Sequence, residues 1–246
     1  MHPILFNFGS VTIYSYGFMI AVTFLVATFV SMRLAKKEGI REEVILDLMV
    51  LVIISSILGA RIFYVITFWD QFKNNLSEII MINHGGLVFY GGFIGGLIAI
   101  LYYVRIKQLS LMKILDIGTP TVLLGYSIGR IGCFLNGCCY GICANVPWAV
   151  KFPNLEGLRH PTQIYSFVTA VIIFLILLII FKRRKFDGQI FYLGMILYSA
   201  YRFLIEFLRE YSFHIMGLTS SQIISLIIFV FALALFVSKT LKASRS

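Results

Sequence analysis

Gly125-Tyr-Ser-Ile-Gly-Arg130-Ile-Gly-Cys133-Phe-Leu-Asn136-Gly-Cys138-Cys139-Tyr-Gly141 is the stretch on which the reading of this chain turns. It starts inside a long apolar segment, carries an arginine there, and closes on glycines, an asparagine and three cysteines. A segment that needed only to be greasy would contain none of these. An arginine at the centre of a helix in lipid costs ~2.5–3.5 kcal/mol on insertion scales, so Arg130 marks a site by default.

Outward from this stretch the chain stays apolar. Of its 246 residues 59% are hydrophobic and 13% charged, whereas soluble domains sit near 45–50% and about 25%. A hydrocarbon core of about 30 Å takes roughly 20 mostly apolar residues per helix. Seven runs meet that need: 12–32, 44–66, 87–104, 114–134, 161–181, 190–208 and 222–237. The sequence therefore predicts an all-α, polytopic integral membrane protein of about seven transmembrane helices. It forms a single transmembrane domain over 1–246 with short loops, and 125–141 lies at the outer end of the fourth span. Met1-His2-Pro3 lacks the basic region of a cleavable signal peptide, so the first span is expected to be retained.

The net charge of +10 would point to nucleic acid in a soluble protein. Its placement argues otherwise. Fourteen basic residues, among them Arg33, Arg105, Lys182 and Lys239, fall on alternate connections and the C-terminal tail, whose last basic residue is Arg245. Only four, Lys73, Lys151, Arg159 and Arg209, fall on the other side. By the positive-inside rule the N-terminus is outside and the C-terminus inside. Most of the charge is a topology signal, and no nucleic-acid partner is expected.

Arg61, Arg130 and Arg202 remain within the apolar runs, each toward the outer end of its own span. Three guanidiniums on one side of a membrane suit one polar cavity, and the planar fork suits phosphate oxygens. The alternative is snorkelling to the interface. Arg202 and Glu206 are four residues apart and share a helix face, so they also form an ion pair. Asp47 and Asp116 read as interface residues or caps. His84 and His160 head two of the spans and titrate near neutrality, which makes either a candidate base; His2 and His214 look incidental. Gly91 with Gly95, Gly92 with Gly96, and Gly125 with Gly129 have the spacing that lets helices approach closely, or that lets backbone approach a ligand. Cys133, Cys138, Cys139 and Cys143 follow a spacing that matches no common zinc pattern. Local disulfides or packed free thiols are the other readings.

The stretch Gly129-Arg-Ile-Gly-Cys-Phe-Leu-Asn-Gly-Cys-Cys-Tyr-Gly141 resembles the signature of the prolipoprotein diacylglyceryl transferase family. Further matches run in the family's order: Tyr14-Ser-Tyr16-Gly17, Gly59-Ala-Arg61, Gly85-Gly-Leu-Val-Phe-Tyr-Gly-Gly92, Arg159-His-Pro-Thr-Gln-Ile-Tyr165 and Arg202-Phe-Leu-Ile-Glu206-Phe-Leu-Arg209. The family's signature usually reads Gly-Arg-x-x-Asn-Phe-x-Asn-x-Glu-x-x-Gly. Here Cys133 and Cys138 replace its first asparagine and its glutamate, while Arg130, Phe134, Asn136 and Gly141 are kept. Tyr90 stands where many members have histidine.

The resemblance implies seven spans with an external N-terminus in the bacterial cytoplasmic (inner) membrane. It implies transfer of diacylglyceryl from phosphatidylglycerol to the lipobox cysteine of a preprolipoprotein, the first step of lipoprotein maturation. Under it, Arg130 and Arg202 hold the phosphate and Glu206 orients Arg202. Tyr16 and Asn136, with Arg61 and Gly141, form the substrate-binding set, and Tyr90 or His160 manages the proton. No cofactor and no metal is required. The competing readings are a relative acting on another acceptor, a non-catalytic lipid- or anion-handling membrane protein, and an enzyme whose cysteine cluster supplies redox or metal chemistry.

Overall fold

The apolar runs become long helices. In the computed structural model, which describes all residues except 10, 74, 82–84, 154, 211–216 and 245–246, the chain opens with an antiparallel hairpin of β1 (Ile4–Phe8) and β2 (Val11–Tyr14). Then come α1 (Ser15–Lys37), α2 (Glu42–Thr67), the short α3 (Trp69–Phe72), a 3-10 turn (Leu76–Ile79), α4 (Phe89–Ile106) and α5 (Leu111–Asn136). A small hairpin of β3 (Val150–Lys151) and β4 (Leu158–Arg159) precedes α6 (Thr162–Phe181), α7 (Gln189–Ile205) with a 3-10 turn (Glu206–Leu208), and α8 (Ser220–Ala243). His84, His214 and Arg245 lie outside the described residues.

Each of the seven runs falls on one long helix. Six of these helices, all but α5, are long and apolar enough to cross a membrane. With 26 residues, α5 is about 39 Å long at 1.5 Å per residue. Its length suffices, but Lys113, Asp116, Arg130 and Gly118-Thr-Pro-Thr121 dilute its hydropathy.

One boundary differs from expectation. The first run begins at Thr12, whereas the helix begins at Ser15, because residues 11–14 pair with 4–8 around Gly9 at φ +65°. Buried Ser15 fixes the junction: its backbone N–H donates to Pro3 O at 2.9 Å and its hydroxyl to the carbonyl of His2.

By its internal contacts the chain forms two compact units, Met32–Ile114 and Met1–Ser31 with Leu115–Ser246. In the first, α2 and α4 meet backbone to backbone. A Cβ on Gly59 would lie 2.4 Å from Gly91 O, one on Gly91 2.3 Å from Gly59 O, and one on Gly95 2.3 Å from Ser55 O. Only glycine fits there, which is the small-residue packing logic of membrane helices. At the other end of the pair, Leu48, Tyr103, Val104 and Ile114 form a buried cluster, and Tyr103 Oη donates to Asp47 at 3.0 Å.

In the second unit α5 meets α1 through glycines. A Cβ on Gly125 would lie 2.8 Å from Thr23, and one on Gly132 3.1 Å from Met19 and 3.3 Å from Tyr16. Nothing lies within 4 Å of such an atom on Gly129. The expected Gly125–Gly129 pair is therefore corrected: α1 packs on Gly125 and Gly132, two helical turns apart. Asp116 is a cap, though for another helix. Fully buried, it accepts from Gly188 N at 2.8 Å and Phe191 N at 2.9 Å at the start of α7, with Arg184 Nε at 3.6 Å. A carboxylate at that end satisfies orphan amides and opposes the positive end of the helix dipole.

Candidate functional site

Where α5 ends, the cysteines gather. Gly137 sits at φ +75° just past Asn136, its N–H donating to Phe134 O at 3.1 Å, while the Cys138 N–H donates to Cys133 O at 3.1 Å. That double bond pattern is the Schellman closure of a helix, and it folds Cys138 back over Cys133. Cys139 is also left-handed, at φ +65°, which is uncommon for a residue with a side chain. The three Sγ atoms of Cys133, Cys138 and Cys139 all lie within 4.8 Å of one another. All four cysteines are free thiols, and Cys143 is exposed and apart from this group.

The turn is clamped from α6. Thr162 Oγ1 donates to Cys139 O at 2.7 Å and Gln163 Nε2 to Cys138 O at 2.6 Å. Gly141 N–H donates to His160 O at 2.9 Å, His160 N–H to Ile142 O at 3.1 Å, and Ile142 N–H to Leu208 O at 3.0 Å. A Cβ on Gly141 would lie 2.4 Å from Leu208 O and 2.9 Å from His160, so the expected substrate-binding Gly141 is needed for this crossing of backbones. Thus the Arg159-His-Pro-Thr-Gln motif holds the cysteine turn. Arg159 itself donates to Glu210 at 2.6 Å and lies over the Tyr140 ring at 5.3 Å.

Electrostatics differ among the thiols of this turn. Cys139 is held below the ordinary cysteine range, first by hydrogen bonding with Cys133, then by Cys138 and the charges of Arg130 and Arg209, against its own burial. Burial, then the neighbouring Cys139, pushes Cys138 up.

One turn before the cysteines, Arg130 lies with its guanidinium carbon 4.5 Å from the centre of the Tyr126 ring. Among the described residues no carboxylate pairs with it. Tyr126 meets Tyr198 edge-on at 5.5 Å, and Tyr198 lies 6.0 Å from Tyr201, whose hydroxyl bonds Ser166. The charges of both Arg202 and Arg130 reach Tyr198. Arg202 pairs with Glu206 and donates to Ser221 Oγ at 3.0 Å. Glu206, 3% exposed, also accepts from Thr219 Oγ1 at 2.9 Å. Thr219 in turn caps α8 in a capping box with Gln222. The expected Arg202–Glu206 pair is present and is locked to the start of the next helix.

Tyr16 is half-exposed and packs against Gly132, next to Cys133. Asn136 is exposed, beside Cys138. His160 is part of a chain: the Trp148 indole N–H donates to Tyr165 Oη at 2.6 Å, and that hydroxyl lies 3.0 Å from His160 Nδ1. This chain fixes the orientation of the His160 ring.

Arg61 and Tyr90 belong to the Met32–Ile114 unit. Arg61, only 6% exposed, donates to five backbone carbonyls: Ile79 O at 2.9 Å, Gly85 O at 2.7 Å, Gly86 O at 3.0 Å, Glu78 O at 2.6 Å and Met81 O at 3.2 Å. A guanidinium has five N–H groups, so here it pins a loop and keeps none for a phosphate. Tyr90 is 72% exposed and meets Phe89 edge-on at 5.9 Å.

Sequence reasoning passed over Tyr126, Tyr198, Thr219, Ser221 and Gln163. A signal for two of them was available: Tyr126 and Tyr198 each stand four residues before an arginine, on the same helix face. Thr219 and Ser221 lie beyond a loop, and no spacing ties them to Arg202.

A family model described as prolipoprotein diacylglyceryl transferase matches residues 3–238. The chain is 40% identical over 232 residues to a phosphatidylglycerol–prolipoprotein diacylglyceryl transferase of Finegoldia magna, covering 94% of this chain and 92% of that one. Proteins with the same description from Clostridium tetani and Clostridioides difficile are 36% and 34% identical, covering 96% and 92% of this chain and 97% and 91% of theirs.

Proposed function

The chain belongs to the prolipoprotein diacylglyceryl transferase family, and we propose that it moves diacylglyceryl from phosphatidylglycerol to the lipobox cysteine thiol of a preprolipoprotein. It is a multi-pass membrane transferase. We place it in the bacterial cytoplasmic membrane with seven spans, α5 among them, the N-terminus outside and the C-terminus inside.

The observation that carries the site assignment is Arg130, whose charge rests on an aromatic face with no carboxylate partner among the described residues. In the reaction the acceptor sulfur attacks the terminal glyceryl carbon, a C–S bond forms, and the C–O bond to phosphate breaks. The electron pair leaves with glycerol phosphate. Charge therefore grows on the departing phosphate, where preorganised donors stabilise most. Arg130 offers its fork there. Arg202 adds a second guanidinium, aimed by buried Glu206 and Ser221. Tyr16 and Asn136, beside the same turn, position the headgroup, and Gly141 supplies the close backbone crossing. His160 or Tyr90 manages the thiol proton; His160 is supported by the chain from Trp148 through Tyr165 that fixes its ring. Arg61 supports the reaction by holding the backbone at residues 78–81 and 85–86.

The test is transfer of labelled diacylglyceryl from phosphatidylglycerol to a lipobox peptide by the purified protein. Transfer by the wild type that vanishes in Arg130→Ala is expected. A folded, lipid-supplied protein that transfers nothing would overturn the proposal.

A further inference from the structure

The transfer reaction leaves three thiols without a task. Cys133, Cys138 and Cys139 come together only through the closure of α5 and the left-handed Cys139, and backbone bonds from Thr162 and Gln163 hold that closure in place. We propose that these three side chains form a thiolate site for one soft divalent metal ion of the zinc class, with its remaining coordination position facing the acceptor thiol.

Geometry carries the first half. A tetrahedral zinc with Zn–S near 2.3 Å sets its sulfurs about 3.8 Å apart. The three Sγ atoms, within 4.8 Å of one another, reach that spacing by closing about 1 Å or less, within side-chain rotation. Among the described residues no fourth cysteine, histidine or carboxylate joins them. Three protein ligands and one further position are the pattern of catalytic rather than structural zinc. Charge also balances. Three thiols losing their protons to solvent and gaining a divalent cation leave a site of net −1, beside the Arg130 guanidinium.

An independent observation marks the same place. Gln163 is fully buried, and while its Nε2 donates to Cys138 O, its Oε1 has no partner. A buried acceptor without a donor is rare. The same side chain grips the backbone of one of the three cysteines, Cys138.

The second half rests on the transfer reading. The nucleophile of that reaction is a thiolate, and a thiol bound to zinc is deprotonated. The acceptor's sulfur would bind as the fourth ligand, release its proton, and attack the glyceryl carbon from the metal.

The experiment uses the full-length protein in detergent, purified anaerobically with a phosphine reductant and freed of metal, then titrated with Co²⁺. One equivalent should bind, with a thiolate-to-cobalt absorption in the near ultraviolet that Zn²⁺ abolishes. The triple variant Cys133→Ser, Cys138→Ser, Cys139→Ser should lose it, and Cys143→Ser should keep it. Should the triple variant not fold, Cys138→Ser alone should lower the band by about a third, since its intensity follows the number of thiolates. No cobalt band, an equal band in the cysteine variants, or a disulfide among the three in the reduced wild type would overturn the site.

A lipobox peptide should strengthen the band, and its cysteine-to-alanine form should not. Metal-free protein that transfers diacylglyceryl at the full rate would overturn the acceptor role while leaving the transfer reading intact. An intact cobalt band in a protein that transfers nothing would sink the transfer reading and leave the metal site standing.

Discussion

Arg61 on α2 and Arg130 on α5 look alike in the sequence, each a lone cation inside an apolar helix, yet their surroundings use the charge differently. Arg61 gives five hydrogen bonds to carbonyls between Glu78 and Gly86, and Tyr64 and Phe72 lie 5.6 and 5.3 Å from its guanidinium carbon. Arg130 has one aromatic face beneath it and thiols one turn beyond. A buried guanidinium must be compensated. When backbone carbonyls do it, the residue becomes part of the fold. When a π face does it, the fork is kept for an anion.

The largest expected effect falls on Arg130. Arg130→Ala should lower kcat for transfer roughly 10²–10³-fold, the loss typical of one preorganised donor at a developing charge. Arg130→Lys should fail nearly as badly, because a point charge does not reproduce the fork. Thermal unfolding in detergent should barely change for either. Full activity in the lysine variant would erase the contrast.

Arg61→Met should do the reverse. Carbonyls left without a donor cost ~1–3 kcal/mol each where they stay buried, so thermal stability should fall while the folded fraction keeps its kcat. A stable but inactive Arg61→Met protein would mean that Arg61 also handles substrate.

Glu206→Gln sharpens the comparison from a third side. The neutral amide can still meet Thr219 but holds Arg202 less firmly, as charge-assisted bonds are about twice as strong as neutral ones. A drop of about tenfold in kcat is expected, with the α8 cap intact; an unchanged rate would remove Glu206 from the positioning role. The smallest effect belongs to Gly129→Ala, which meets open space and should be neutral or stabilise by up to about 1 kcal/mol through helix propensity. Marked destabilisation there, measured by thermal unfolding, would show a helix contact at Gly129 that the fold does not contain.

The glycines show how far sequence reading reaches. Gly91, Gly92, Gly95 and Gly96 were legible as packing residues because small residues on one helix face imply a close neighbour. Gly125 was legible as a packing residue but its partner was not: the choice between Gly129 and Gly132 depends on how α1 crosses α5. The cysteines show the limit more sharply. Their spacing resembles no common zinc pattern, and only the left-handed turn at Gly137 and Cys139 makes neighbours of residues five and six apart.

By itself the sequence determined the long helices, their membrane character and the family, since hydropathy and the order of motifs are properties of the chain read locally. Tertiary structure alone decided which arginine became scaffold and which stayed poised, and that three thiols share one place. Those outcomes turn on where hydrogen-bond donors end and how a helix closes. Both are set by partners distant along the chain, such as Arg61 with Gly85, Cys138 with Gln163 and Glu206 with Thr219, which no local spacing specifies.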